Sequence, residues 1–202
     1  HLEGINLEFV KAMCVDADIE CQFELLPWSR AYHLAQQKPQ SGLVSTARIP
    51  DREALFNWVG PLASSSNFFY RLQSNDRINP IDLSQVKDHS LCVMRDSIYE
   101  KFVESIGFRS EKNLLKVSHY YECINLFFKN KIELIIGSEL SFKYQLMQYG
   151  HQGREVVKLV ELPLNGTVGN FLALNKALPE ELASRLQASY DKLSKQGLLE
   201  TY

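Results

Sequence analysis

Segments with the hydrophobic period of a helix alternate along this chain with segments that have the period of a strand. Apolar residues recur at helical spacing over 9–17, and over 19–25 they alternate with glutamate and glutamine. This predicts a helix followed by a strand with one wet face. Strands interleaved with helices favour a mainly parallel sheet covered by helices. The sequence therefore predicts an α/β protein.

The same alternation continues along the chain, with Ser29 and Ser97 as expected helix N-caps. Further strands are expected at 43–45, 90–94, 114–118, 132–136, 156–162 and 170–174. Further helices are expected at 30–37, 98–106, 120–130, 140–149 and from near Pro179 to Gly197.

These elements form two sets, divided by the polar stretch 73–80, and a last strand and helix follow the second set. A chain that leaves one lobe, builds another and returns is linked by two crossing segments, which we place near 69–74 and 165–171. Two links make a hinge, which lets the lobes close on a ligand. The predicted lobes are residues 1–72 with 168–202, and residues 73–167.

Composition and charge exclude several classes of function. The net charge is -2, and the lysines and arginines form no basic block, so no nucleic-acid partner is expected. Apolar runs are short, so no membrane span is expected. Because the chain opens abruptly at His1-Leu2-Glu3, we expect that its start was removed either by processing, as of a signal peptide, or by truncation.

The cysteines and motifs point away from metal and cofactor chemistry. No CxxC pair and no zinc-ligand spacing occurs, so the four cysteines are interpreted as small buried hydrophobic residues, or as disulfides, with Cys14–Cys21 the first pair to test. GxGxxG, GxxxxGK[ST], HExxH and GxSxG are all missing. We expect no catalytic residues, no cofactor and no metal.

Several short segments, in order, carry a resemblance to a known family. They are PWSRA at 27–31, SG at 41–42, RIPDRE at 48–53, FNWVGP at 56–61, DLSQVK at 82–87, and the segments 91–97, 126–138 and 178–198. Together they resemble the periplasmic solute-binding proteins of the amino-acid type, bacterial extracellular solute-binding family 3, over nearly the whole chain. The resemblance implies the two-lobed type II periplasmic-binding-protein fold, here without its first strand.

Arg52 is the candidate that the resemblance favours most, as the residue that grips the carboxylate of a ligand. A guanidinium offers a planar, bidentate fork that matches a carboxylate and stays charged. The alternative interpretation is a surface salt bridge with an acid such as Asp51 or Glu53. Arg30 and Arg48 are expected to be solvated or salt-bridged.

Four other candidates have a structural alternative beside the functional one. Ser45 and Thr46 precede Arg52 at a strand end, where they either share the anion or form an ordinary turn. Ser97 matches a family position at a helix start, where it either favours an anion or acts as an N-cap. Trp28 either walls the cleft or packs in the core.

One departure from the family concerns the ligand ammonium, for which amino-acid binders supply a carboxylate from the second lobe. The matching position here is Ser138, followed by Glu139. A serine cannot neutralise an ammonium. Either Glu139 substitutes, or the ligand is not a standard α-amino acid.

These inferences predict a periplasmic, monomeric binding protein that is not an enzyme. It would capture a small carboxylate-bearing solute, an amino acid or a related compound, in the interlobe cleft and deliver it to the permease of an ABC-type transporter. Closure follows if the ligand binds the closed state more tightly. The alternatives are a ligand-sensing module of a membrane signalling receptor and, less favoured, a dehydratase-like enzyme using Glu139 as acid or base.

Overall fold

The fold is known from a computed structural model that describes residues 4–78, 82–153, 155–164 and 169–197. The strands are β1 (Gly42–Ala47), β2 (Phe56–Ala63), β3 (Asn67–Leu72), β4 (Leu91–Met94), β5 (Leu114–Val117), β6 (Leu134–Ser138), β7 (Val156–Glu161) and β8 (Asn170–Asn175). The helices are α1 (Ile5–Asp16), α2 (Trp28–Gln37), α3 (Pro50–Glu53), α4 (Ile98–Ser105), α5 (Tyr120–Phe128), α6 (Phe142–Gln148) and α7 (Glu180–Lys195), with a 3-10 turn at Val86–Asp88. The predicted α/β class is confirmed.

The chain divides into two compact units. The first unit comprises His1–Leu26, Arg30–Ser64 and Asn165–Tyr202, and the second unit comprises Pro27–Ser29 and Ser65–Leu164. Trp28 and Ser29, at the start of α2, therefore group with the second unit. β3 also belongs to the second unit, because its partners are β6 and β7, whereas the sequence assigned it to the first lobe. The predicted crossing segment 165–171 lies partly outside the described residues.

The first unit contains a three-stranded sheet of order β1-β8-β2. Both pairings of β8 are antiparallel, so this sheet differs from the mainly parallel one expected from the sequence. The two strands that follow each other in the chain, β1 and β2, run in the same direction, and β8 returns between them. β2 was not among the predicted strands; it contains Pro61, which its position at the edge of the sheet tolerates.

Helices pack on both faces of this sheet. Leu172 and Leu174 of β8 pack against apolar residues of α1 and α7, whereas Ala173 between them packs on the opposite face with Ala35 of α2 and Phe56 of β2. Alternate residues of a strand point to opposite faces, so β8 serves both layers. The acidic start of α7 and its Lys192 and Lys195 near the end complement the helix dipole.

The second unit contains a mixed sheet of order β5-β4-β6-β3-β7. The pairs β4–β5 and β4–β6 are parallel, while β3 runs antiparallel to both β6 and β7. Its strands are also buried on both faces. Leu91 and Val93 share one apolar cluster with α4, and Cys92 faces another with α5 and α6. The second unit is thus a helix–sheet–helix sandwich.

Each unit contains one disulfide. Cys14 of α1 bonds to Cys21, with Cα atoms 6.2 Å apart, and Cys92 of β4 bonds to Cys123 of α5, with Cα atoms 5.4 Å apart. The first of these is the pair that the sequence singled out. Of the two interpretations of the cysteines, the disulfides are therefore the correct one, although Cys14, Cys92 and Cys123 are also buried. The two bonds join each unit's helix layer to a neighbouring segment.

Two local predictions fail. Residues 19–25 form no strand, although Ile19, Cys21 and Phe23 still pack against the core of the first unit. The alternation therefore records burial on one side, since a strand also requires a backbone partner. Ser29 lies inside α2 rather than before it, because the helix begins at Trp28.

Candidate functional site

Arg52 lies in the short helix α3, directly after the carboxyl end of β1. Pro50 starts this helix, where its missing N–H costs no hydrogen bond. The Arg52 side chain is buried, with 6% of the residue exposed. Its Nη1 donates to the carbonyl of Ala47 at 3.5 Å, and its Cζ lies 4.9 Å from the centre of the Tyr32 ring. A guanidinium is thus held near the end of a strand.

The neighbouring Arg48 forms an ion pair with Glu53 at the surface of the first unit. Arg48 Nε donates to Glu53 Oε2 at 2.8 Å, and Arg48 Nη2 donates to Glu53 Oε1 at 2.5 Å. This hydrogen bonding lowers the pKa of the Glu53 carboxyl. Both oxygens of Glu53 are therefore engaged by Arg48, which is salt-bridged as expected for that arginine.

Ser45 and Thr46 have different environments at the end of β1. Ser45 has a φ of 60°, and the register with β8 shifts between Leu43 and Thr46. Ser45 is exposed, and its Oγ accepts a hydrogen bond from Asn6 Nδ2 at 2.9 Å. Thr46 is 0% exposed, and its hydroxyl donates to the Leu43 carbonyl at 3.0 Å. Of the two, only Ser45 presents its hydroxyl at the surface of the first unit.

Ser97 is the N-cap of α4 in the second unit, as the structural interpretation predicted. Its Oγ accepts from the Glu100 N–H at 3.3 Å and donates to the Met94 carbonyl at 2.7 Å. The Asp96 N–H donates to the Glu100 carboxylate at 2.5 Å. Glu100 also pairs with Lys116 at 2.7 Å. The carboxylate of Glu100 therefore lies at the start of α4, where the sequence suggested that an anion from outside the chain could bind.

Trp28 contacts the turn between β4 and α4, which contains Asp96. Its Nε1 donates to the Asp96 carbonyl at 3.1 Å, and Ser29 donates from its hydroxyl to the Asp96 carboxylate. Trp28 is half-buried. The structure thus brings Trp28 and Ser97 together at the carboxyl end of β4, with Asp96 between them, a residue that the sequence analysis did not select.

Ser138 and Glu139 follow each other at the end of β6, and both have partners within the second unit. Ser138 Oγ donates to Ser65 Oγ at 3.0 Å. Glu139 pairs with Lys158 at 2.6 Å, and Lys158 Nζ lies 4.4 Å from the centre of the Phe68 ring. A ligand ammonium would have to compete with Lys158 for Glu139.

Tyr32 is a residue of the site that sequence reasoning missed. The available signal was its spacing of three residues from the buried Ala35, which places both on one face of α2.

Within the described residues, no cluster of His, Cys, Asp or Glu could hold a metal ion. The described helices also include none with the length and apolar character of a membrane span.

Comparison with known proteins identifies the fold through structure alone. No protein-family model matches the chain, and no curated protein matches it. An amino-acid ABC transporter substrate-binding protein from Streptococcus pneumoniae, bound to L-arginine, is similar with a TM-score of 0.82 at 15% identity, covering 100% of this chain and 82% of that one. An ancestral arginine-binding protein bound to glutamine has a TM-score of 0.77 at 15% identity, covering 100% and 86%.

A third similar structure is a histidine kinase sensor domain that is itself described as similar to periplasmic binding proteins. Its TM-score is 0.78 at 15% identity, and the match covers 98% of this chain and 83% of that one. The predicted resemblance to amino-acid-type solute-binding proteins is therefore confirmed at the level of the fold. The chain has the periplasmic-binding-protein-like fold of this class.

Proposed function

We propose that the chain is an extracytoplasmic solute-binding protein that captures a small carboxylate-bearing solute for an ABC-type transporter. The observation that carries the proposal is the guanidinium of Arg52, buried at the carboxyl end of β1. A guanidinium keeps its charge when it is buried and offers a planar, bidentate fork of N–H groups. A ligand carboxylate is a partner of the right charge and shape.

The comparisons support this class of ligand. Structures with this fold are described as bound to L-arginine and to glutamine, which are both amino acids with a carboxylate. Ser45 remains a proposed ligand contact because its hydroxyl is exposed, and Trp28, Ser97, Ser138 and Glu139 remain proposed contacts of the second unit. Thr46 has its hydroxyl on the Leu43 carbonyl, so we propose an indirect role for it.

The disulfides support an extracytoplasmic location. Cys14–Cys21 and Cys92–Cys123 use all four cysteines of the sequence. Disulfides persist in oxidising compartments such as the bacterial periplasm and are rare in the cytosol. We accordingly propose the periplasmic side of a membrane as the place where the protein works, as a binding protein and not as an enzyme.

Binding is tested by isothermal titration calorimetry with L-arginine, L-glutamine and a panel of other amino and organic acids. Arg52→Ala should weaken the best ligand at least about thirtyfold, because truncating one partner of a buried charge pair costs about 2 kcal/mol or more. Arg52→Lys should keep part of the affinity, since it retains the charge and loses the planar fork.

The matched control is Arg30→Ala, which removes an exposed arginine of the first unit. It should leave affinity unchanged. If no member of the panel binds, or if Arg52→Ala binds as tightly as the natural protein, the proposed function is wrong.

A sensing role is the second candidate, and the similarity to a histidine kinase sensor domain favours it. Deletion of the gene in its host separates the two roles. A transport role predicts slower uptake of the bound solute, whereas a sensing role predicts normal uptake and a lost transcriptional response to that solute.

A further inference from the structure

We infer that Tyr32 is a positioning residue for Arg52, which fixes the plane of the guanidinium so that its N–H edge is presented to the ligand. This inference rests on the proposed function, because it assigns the residue that prepares the proposed anchor. The evidence lies entirely within the first unit. Tyr32 is on α2 and Arg52 is on α3, so the contact joins two separate helices.

Two contacts of different kind restrain the guanidinium. The Tyr32 ring lies beside Cζ, with its centre 4.9 Å away, which is the range of a cation–π interaction. The Ala47 carbonyl accepts from Nη1 at 3.5 Å. The ring limits the movement of Cζ on one side, and the carbonyl holds Nη1. Together they limit the orientations available to the buried side chain of Arg52.

Tyr32 is suited to this role because its own ring is held from behind. Its ring packs edge-to-face against Phe56, with centroids 5.8 Å apart. Phe56 is completely buried and packs in turn against Trp58 at 5.6 Å. A backed aromatic ring cannot swing away from the guanidinium without opening the core, whereas a flexible aliphatic side chain in its place would.

The expected gain is one of preorganisation. A cation over an aromatic face leaves its in-plane N–H groups directed outward, and these are the groups that form bidentate hydrogen bonds with a carboxylate. A side chain already held in its bound orientation loses less freedom when the ligand arrives. Tyr32 would therefore increase affinity without touching the ligand.

The first test uses Tyr32→Leu, which removes the aromatic ring, and Tyr32→Phe, which keeps it. Affinities for L-arginine and L-glutamine are measured by calorimetry. Tyr32→Leu should weaken binding about tenfold, within the range of a partly desolvated cation–π contact, and Tyr32→Phe should restore near-natural affinity. Tyr190→Leu is the matched control, since it removes another half-buried tyrosine ring of the first unit.

The second test needs no ligand. The side-chain Nε–Hε signal of Arg52, assigned by its loss in Arg52→Lys, is recorded by NMR in the natural protein and in each variant. A ring that holds the guanidinium shifts this signal by its ring current. The shift should be present in the natural protein and in Tyr32→Phe, and absent in Tyr32→Leu.

The two tests separate this inference from the proposed function. If nothing on the panel binds but the ring-current shift depends on an aromatic residue at position 32, the proposed function fails and the restraint on Arg52 stands. An unshifted Arg52 signal in the natural protein overturns the inference, even if Tyr32→Leu does not fold. It is also overturned if Tyr32→Leu binds as tightly as Tyr32→Phe, or no more weakly than Tyr190→Leu.

Discussion

The two disulfides should contribute unequally to stability, because they close loops of very different length. Cys14 and Cys21 are 7 residues apart in sequence, whereas Cys92 and Cys123 are 31 apart. A cross-link removes conformational entropy from the unfolded chain, and the amount grows with the logarithm of the loop length. At 25 °C this relation gives about 2.4 kcal/mol for the short loop and about 3.7 kcal/mol for the long one.

The perturbation is the replacement of each pair by alanine, in C14A/C21A and C92A/C123A. Cys92 and Cys123 are almost completely buried, so their replacement also removes packed sulfur atoms. The natural protein in reductant retains the sulfur atoms and loses only the bonds. Comparing the reduced protein with the alanine variants therefore separates the effect of the cross-link from the effect of packing.

Hydrogen exchange with mass spectrometry at a series of urea concentrations is the appropriate assay, because it reports the opening free energy of each unit separately. Reduction should destabilise the second unit by about 3.7 kcal/mol and the first unit by about 2.4 kcal/mol, and C92A/C123A and C14A/C21A should cost these amounts plus the loss of packing. Each pair serves as the control for the other, since its effect should be confined to its own unit.

Two results would refute this reasoning. One is an equal or reversed order of the two losses, which would show that loop length does not govern the contribution of these bonds. The other is labelling of any of the four cysteines by a thiol reagent in the fully folded, unreduced protein. That result would show that a disulfide assigned here is not formed.

Glu133 accepts from the N–H of Ser90 at 2.9 Å, and although burial alone would raise its pKa, these hydrogen bonds lower it overall. The ionised Glu133 carboxylate therefore stabilises the fold above about pH 4.5, and this contribution is lost as pH falls through its lower pKa in the folded protein. In Glu133→Gln, the free energy of unfolding measured with urea should decrease less steeply as the solution is acidified. Parallel curves for the natural protein and Glu133→Gln would contradict this, with the exposed Glu111→Gln as control. Gly137→Ala should cost about 1–3 kcal/mol by the same measurement, because its new Cβ would meet Phe142 Cγ at 2.5 Å. Strict additivity of Gly137→Ala with Phe142→Leu would refute that clash.

Many elements could be predicted from local pattern. The helix N-cap at Ser97, the strand after Ser90 and the long helix up to Gly197 all follow from short-range rules, and the structure has them within a few residues of the expected bounds. The prediction of a strand at 19–25 was wrong. The alternation of apolar and polar residues does reflect burial on one side, but a local pattern does not show whether another strand pairs with the segment. The edge strand β2 was overlooked, although its Pro61 is compatible with a strand at the edge of a sheet.

In the candidate site, too, some residues could be selected from the sequence and others only from contacts between distant segments. A family resemblance was enough to select Arg52, but not to tell it from the surface pair that its neighbour Arg48 forms with Glu53. Tyr32 and Asp96 were missed because their relevance depends on contacts with residues that are distant in sequence.

The α/β class and the periods of the helices and strands could be predicted from the amino-acid sequence, because they depend on residues that are neighbours in the chain, and the proposed anchor was selected by the family resemblance. The pairing of the strands, the bonding of the cysteines and the burial of Arg52 could be known only from the folded chain. Those outcomes depend on contacts between distant segments, and the same local pattern is compatible with several such arrangements until the whole chain is packed.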